Sequence, residues 1–503
     1  MDSRMVGMYV HQHWSFNHPY AARTWTLADW RGYLDGLHRL GYTAVLIWPV
    51  LEIMPDPLTD SDRQSLEKTR QVIDMAHAEF DLEVHVALCP NVVPRDGEAR
   101  RYPLAERPFF CCDVRVDPGD ARAMEDLLRR RRLLLTPLAQ TDGVFIIDSD
   151  PGGYPGSTNR QFVDLLVAHR RLLDGLRPGI GLTYWVHVGW QAYCDYYRTG
   201  DFRWGTAAEV EETLSLLAAA APEPWGLANG LEHAQRLGLA DRVLHFRYGT
   251  VEGEPTYPLT NHAPDQVQLA AQSPAARGVM ANAQCHCVQL PNTFAFARLA
   301  RGQCTDAADY EAFGNELLAG HGALLRRAWE APANGDAGEM EDLAQQLETA
   351  ARGPLTPGAL SGVLFGDPGR LARDLGLQLR LRASFLRLGR ALSEGTGVTA
   401  ALGTVVQATT AWQRCHGYRN AWNRPELEDV LRRVGSPALD SALNRMSYRG
   451  EGAHALRADP ERVLPRGDLW AAPHGSPRGD AGRPGVSGIG AWVRGARQCA
   501  TRC

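Results

Sequence analysis

The sequence predicts an α/β fold, a (β/α)8 barrel over residues 1 to about 305, followed by an all-helical segment. Three features carry that reading. Short β-rich runs alternate eight times with amphipathic stretches, as parallel βα units do. No glycine-rich phosphate fingerprint follows the first run, which argues against an open dinucleotide-binding sheet and for closure. Beyond residue 305 the pattern is helical only.

The eight runs are Val6 to His11, Thr43 to Trp48, Glu83 to Leu88, Gly143 to Asp148, Gly181 to His187, Trp225 to Leu227, Val243 to Arg247 and Gly278 to Asn282, the sixth being the weakest. Between the first two, Thr26 and Asp29 form a capping pair for a helix whose Leu27, Trp30, Leu34, Leu37 and Leu40 recur at helical spacing. The fourth run leads through Pro151, Gly152, Gly153 and Pro155 into a stripe of Phe162, Leu165, Leu166 and Leu172. The connection from Pro90 to Pro118 is long and aromatic, the mark of a loop overhanging a barrel mouth.

After the barrel, helices are expected over Tyr310 to Trp329, Met340 to Ala351, Leu371 to Leu392, Ala400 to Cys415 and Glu426 to Met446, giving a helical domain over 306–455. Residues 456–503, and above all those after Pro465, are rich in Gly, Pro, Arg and Ala without periodicity and read as disordered.

The 503 residues carry a net charge of −5, with 44% apolar and 22% charged residues. That balance offers no basic face for nucleic acid or an anionic membrane and suits a neutral, polar substrate. The start of the chain lacks the pattern of a secretory signal, no run has the length of a membrane span, and the ten cysteines are scattered, so a cytoplasmic location without a disulfide framework is expected. No cofactor is expected, and the oligomeric state is left open.

In a barrel of this kind, chemistry sits where strands end. The residues at those positions are His11, His13 and Trp14 after the first run, Trp48 and Glu52 after the second, and Asn91 after the third. Asp148 and Asp150 follow the fourth; Tyr184, Trp185, His187 and Trp190 mark the fifth. Asn229, Arg247, Tyr248, Asn282, Gln284 and His286 complete the ring. Aromatic faces stack on the C–H surfaces of a pyranose, and amides, imidazoles and carboxylates bind its hydroxyls, so the set points to a carbohydrate. Any single aromatic among them can equally be core packing.

The sharpest local signal is Asp142-Gly-Val-Phe-Ile-Ile-Asp148-Ser-Asp150-Pro-Gly-Gly. In a strand, residues i and i+2 share a face about 6 to 7 Å apart, so both carboxylates can enter one pocket. One can then protonate a leaving oxygen while the other stabilises positive charge at the sugar, which is the chemistry of glycoside cleavage. Either Asp can instead serve as an Asx-turn or cap residue.

Two metal readings are weaker. Cys285-x-Cys287 with His286 lacks a second pair at zinc spacing and reads as packing. His11 and His13 have the spacing of a metal pair, but an amidohydrolase barrel would also want a lysine on the fourth strand, and the chain's one lysine, Lys68, is far from it. They are read as hydroxyl-binding groups, or one of them as a core histidine. No metal is expected.

The paired carboxylates on the fourth strand, with Trp, Tyr, Asn and His residues on the others, resemble the N-acetylhexosaminidases of glycoside hydrolase families 20 and 84 and related β-N-acetylgalactosaminidases. The resemblance covers roughly residues 6 to 300. It implies an exo-acting, retaining enzyme in which the substrate's own 2-acetamido oxygen attacks the anomeric carbon. It assigns Asp148 to orient the acetamido group and Asp150 to act as general acid and then base. Tyr248, or in second place Tyr184, would hydrogen-bond the acetamido oxygen, and Trp185 or Trp190 would wall its methyl. Those families place their two carboxylates consecutively, whereas Ser149 intervenes here; the chitinase pattern would need a Glu where Gly152 stands.

Overall fold

In a computed structural model of the chain, residues 4–12, 22–107, 113–149, 151–246, 262, 264–283 and 289–416 are described. Ten strands occur among them: β1 Met5–His11, β2 Ala44–Trp48, β3 Glu83–Leu88, β4 Val92–Pro94, β5 Asp113–Arg115, β6 Gly143–Ile147, β7 Gly181–Trp185, β8 Trp225–Ala228, β9 Val243–Phe246 and β10 Gly278–Ala283. Eight close into a parallel barrel in the order β1-β10-β9-β8-β7-β6-β3-β2, and β4 and β5 pair antiparallel in the overhanging connection after β3. Each of the eight expected runs overlaps a barrel strand. The fold class is therefore a (β/α)8 barrel.

The ladder fixes which side chains face inward. Tyr9 of β1 lies beside Leu46 of β2 and Asn282 of β10, and Met280 beside Phe246 of β9. Tyr9 and Phe246 both meet Trp185 of β7 across the barrel, at 5.4 and 4.1 Å between ring centroids. Side chains alternate along a strand, so residues in step with these line the interior and their neighbours face the helices. Below that aromatic layer Gly7 makes room for Met280, whose Cε would lie 2.6 Å from any Cβ at position 7.

The helices form where caps and stripes coincide. Thr26 accepts the N–H of Asp29 while Asp29 accepts that of Thr26, closing the expected capping box on helix Leu27–Leu40, which buries Trp30, Leu34, Leu37 and Leu40. Helix Asn159–Leu176 starts the same way from Thr158 and Gln161 and buries Phe162, Leu165, Leu166 and Leu172.

Past residue 305 come helices Ala307–Leu317, Gly322–Asn334, Ala337–Arg352, Pro368–Glu394 and Val398–His416. The single helix expected over Tyr310 to Trp329 is broken in two. The Asn315 side chain accepts the N–H groups of Gly320 and Gly322 at 3.1 and 2.9 Å, and Gly314 packs so closely on Gly322 that a Cβ would come within 2.8 Å of backbone. The helix expected over Glu426 to Met446 and the tail lie outside the described residues.

The helical segment is seated directly on the barrel's first helix. A Cβ on Gly32 would strike the backbone of Gly362, one on Gly36 would strike Val363, and the rings of Trp25 and Phe365 are 4.7 Å apart. One apolar core runs without interruption from Val6 of β1 to Ala383.

Candidate functional site

The interior at the strand ends is an aromatic box. Tyr9 stacks on Trp48 at 6.5 Å and meets Trp185 and Phe246 edge-on. Two polar groups in this box have no partner among the described residues: both the amide N and O of Asn282, fully buried, and the indole N–H of Trp185, 3% exposed. An unmatched buried polar atom costs about 1 to 3 kcal/mol. Such a group is met by a ligand or an ordered water, or is a standing defect.

Trp48 is held by Glu52, whose buried carboxylate accepts the Trp48 indole N–H at 3.2 Å and the Cys89 backbone N–H at 2.6 Å, with the Arg131 guanidinium at 3.5 Å. Glu52 thus fixes the wall and is not itself a free acid. Asn91 is likewise committed, its amide donating to the carbonyls of Val116 at 2.7 Å and Gly153 at 3.0 Å. It ties the connection after β3 to the loop after β6. Asn229, with φ of 69°, accepts the N–H of Phe246.

The structure places Asp148 differently from the expectation that it opens into the mouth. β6 ends at Ile147, and Asp148 falls out of step with the interior, on the side of Tyr184. Its fully buried carboxylate accepts the backbone N–H groups of His187 at 3.1 Å, Val188 at 3.0 Å and Gly189 at 3.1 Å, and the Tyr184 hydroxyl at 2.9 Å. These N–H groups lead into helix Trp190–Thr199, so the anion sits at a helix N-terminus. Burial pushes the Asp148 carboxyl up, and the donors from His187, Tyr184, Ser149 and Val188 pull it back. Fully buried behind these donors, the carboxylate is closed to a substrate amide.

Gly189 is required at this junction. Its φ of 97° is left-handed, and a Cβ would stand 3.2 Å from the Cα of Gly205.

Tyr184 and Trp190 also lie behind the mouth. The Tyr184 ring packs edge-on against Phe162 of the helical layer at 5.2 Å, and Trp190 stacks on Phe162 at 4.6 Å and donates its N–H to Ser157. Both are core residues of the β7 junction, so neither is placed to contact an acetamido group. Of the expected residues, Trp48, Trp185, His187 and Asn282 stand at the mouth. Asp150, His13, Arg247, Tyr248 and Gln284, with the Cys285 to Cys287 cluster, lie outside the described residues, as does the side chain of His11.

Two site residues were not singled out by sequence. Ser149 falls in step with the interior, and its hydroxyl shares a hydrogen bond of 2.8 Å with Nδ1 of His187. Trp204 lies against the same imidazole, edge to face at 6.0 Å. Among the described residues, no group of three or more His, Cys, Asp and Glu side chains is arranged to hold a metal, and no helix is long and apolar enough to cross a membrane.

No family profile matches the chain, and no curated protein matches it. Among solved structures it is similar to an enzyme of glycoside hydrolase family 138 targeting pectin rhamnogalacturonan II, at 8% identity and a TM-score of 0.47, over 82% of this chain and 62% of that one. It is also similar to a β-N-acetylhexosaminidase from Bacteroides fragilis, at 11% identity and a TM-score of 0.38, over 59% and 66% of the two chains. A third similar structure is Dispersin B, at 10% identity and a TM-score of 0.33, over 59% and 99%. The chain spans less than two thirds of the length of the first two. The barrel itself rests on its own strand pairing.

Proposed function

We propose that the barrel mouth binds and cleaves a carbohydrate, as a glycoside hydrolase. The observation that carries this reading is the pair of unmatched polar groups, the Asn282 amide and the Trp185 indole N–H, inside a box of aromatic rings. A pyranose ring answers both features at once. Its C–H faces cover aromatic rings, and its hydroxyls donate to and accept from an amide.

In the finer reading the substrate is a terminal β-linked N-acetylhexosamine. Asp150 protonates the glycosidic oxygen as the acetamido oxygen attacks the anomeric carbon and the aglycone leaves with that proton. The Asp150 carboxylate then takes a proton from water, which opens the cyclic intermediate with net retention. Asp148 contributes by fixing the His187 to Gly189 turn at the mouth. This reading rests on the residue pattern around Asp150 and on the aromatic box.

A panel of nitrophenyl glycosides tests it, run on the wild type and on Asp150→Ala. Release of N-acetylhexosamine, with a larger loss in the variant for poor leaving groups than for activated ones, is expected. A thiazoline mimic of the cyclised intermediate should inhibit strongly. Binding of sugars without cleavage of any member of the panel would leave a non-catalytic carbohydrate-binding barrel.

A further inference from the structure

Trp204 is 55% exposed, and no other aromatic residue is as open among the described residues. Its surroundings are nevertheless rigid. On one side the Arg203 guanidinium donates to both Glu209 oxygens at 2.6 and 2.7 Å, to Asp195 at 2.7 Å and to the Trp204 carbonyl at 3.3 Å. Glu209 is itself locked into the capping box of helix Ala207–Ala220 with Thr206.

On the other side, Gly205 donates its N–H to the Val188 carbonyl at 2.7 Å, and a Cβ on Gly205 would stand 2.9 Å from that oxygen. Val188 belongs to the turn held by Asp148. The Trp204 ring is flanked by Phe202 at 5.5 Å and His187 at 6.0 Å, each edge to face.

An indole fixed in place with much of its surface in water forgoes the burial that aromatic rings ordinarily gain. Its position supplies a reason. His187, the ring it touches, is also 6.5 Å from Trp185 of the aromatic box, so the line Trp185, His187, Trp204 runs from the interior outward over the rim.

We propose that Trp204, with His187 beside it, forms a second sugar-binding position at the rim, stacking on the pyranose next to the one held in the barrel. The ligand is then an oligosaccharide of at least two units. The proposal rests on the carbohydrate reading of the mouth but not on cleavage there.

The test is binding of N-acetylhexosamine and of its non-hydrolysable β-thio-linked di- and trisaccharides to the full chain, followed calorimetrically, for the wild type, Trp204→Ala and Trp204→Phe. At least a tenfold gain from mono- to disaccharide is expected in the wild type, lost in Trp204→Ala and largely kept in Trp204→Phe, with monosaccharide affinity equal in all three. A gain that survives Trp204→Ala, equal affinity for mono- and disaccharide in the wild type, or no saccharide binding would overturn it. Turnover is scored separately. If a Trp204-dependent gain appears while no glycoside is cleaved, the hydrolase reading fails and the rim position stands.

Discussion

The Tyr184 hydroxyl reaches the Asp148 carboxylate at 2.9 Å from the helical side of the barrel wall, and three consecutive backbone N–H groups of the next loop meet the same carboxylate. The acid is thus the hub of the β6–β7 junction. Removing one donor with Tyr184→Phe should lower stability by about 1.5 to 3 kcal/mol, the range for a hydrogen bond to a charged group. Asp148→Ala strands all four donors and should cost more. Chemical denaturation checks both, and an Asp148→Ala protein as stable as wild type would refute the hub.

Asn282 makes the opposite prediction. Its unmatched amide is a burden on the empty protein, so the near-isosteric Asn282→Leu should raise stability by about 1 to 3 kcal/mol while weakening sugar binding at least tenfold. A melting curve and a sugar titration on the same variant decide it. A variant with lower stability and unchanged affinity would mean that the amide is satisfied in the folded protein.

His169 sets a pH dependence. It is fully enclosed, with Nδ1 against the Leu165 carbonyl at 2.9 Å. Burial, reinforced by the Arg131 charge, pushes its pKa down to about 4. The unfolded chain takes up the proton near pH 6.5, ahead of the folded one, so this stability is complete above pH 6.5 and lost as pH falls toward 4. The amount is roughly 3 kcal/mol at 1.36 kcal/mol per pH unit. His169→Leu should flatten the slope of stability between pH 4 and 6.5, and an unchanged slope would assign the effect elsewhere.

The overhanging connection is pinned by a fully buried ion pair, Arg107 to Asp62 at 2.7 Å. Arg107→Met leaves Asp62 buried and unneutralised and should cost about 3 to 5 kcal/mol. Adding Asp62→Leu should recover only part of that, because Asp62 also accepts the Thr59 N–H at 2.9 Å in the cap of helix Asp60–Phe80. Full recovery in the double variant, measured by denaturation, would show that the cap contributes nothing.

The barrel was legible because its strands carry compact β-rich runs and several of its helices a cap and stripe, as Thr26 and Asp29 illustrate. The site was legible only in part. Gly143–Ile147 is apolar on both faces, so nothing in the sequence says which parity turns inward. The choice that brings Ser149 to His187 sends Asp148 to the helical layer, and the spacing argument for two carboxylates in one pocket presumes a strand that in fact ends at Ile147. Trp190 misled for a related reason, since a tryptophan just after a strand looks the same whether it walls a mouth or stacks on Phe162. Trp204 lay in a loop, far from any strand end, where only the aromatic run Phe202 to Trp204 between Gly200 and Gly205 marked it.

The contact of Gly32 and Gly36 with Gly362 and Val363 bears on how the chain is assembled. Gly32 meets Gly362 backbone to backbone, Gly36 meets the Val363 side chain, and the rings of Trp25 and Phe365 continue the same seam. A protein cut at residue 305 would present that seam to water together with Phe294, whose ring stacks on Phe313 at 4.5 Å. The eight strands satisfy one another's hydrogen bonds, yet the surface that seals the first helix is synthesised after all of them. Until residues 362–365 emerge, a nascent chain therefore carries an open apolar face of the kind that chaperones recognise.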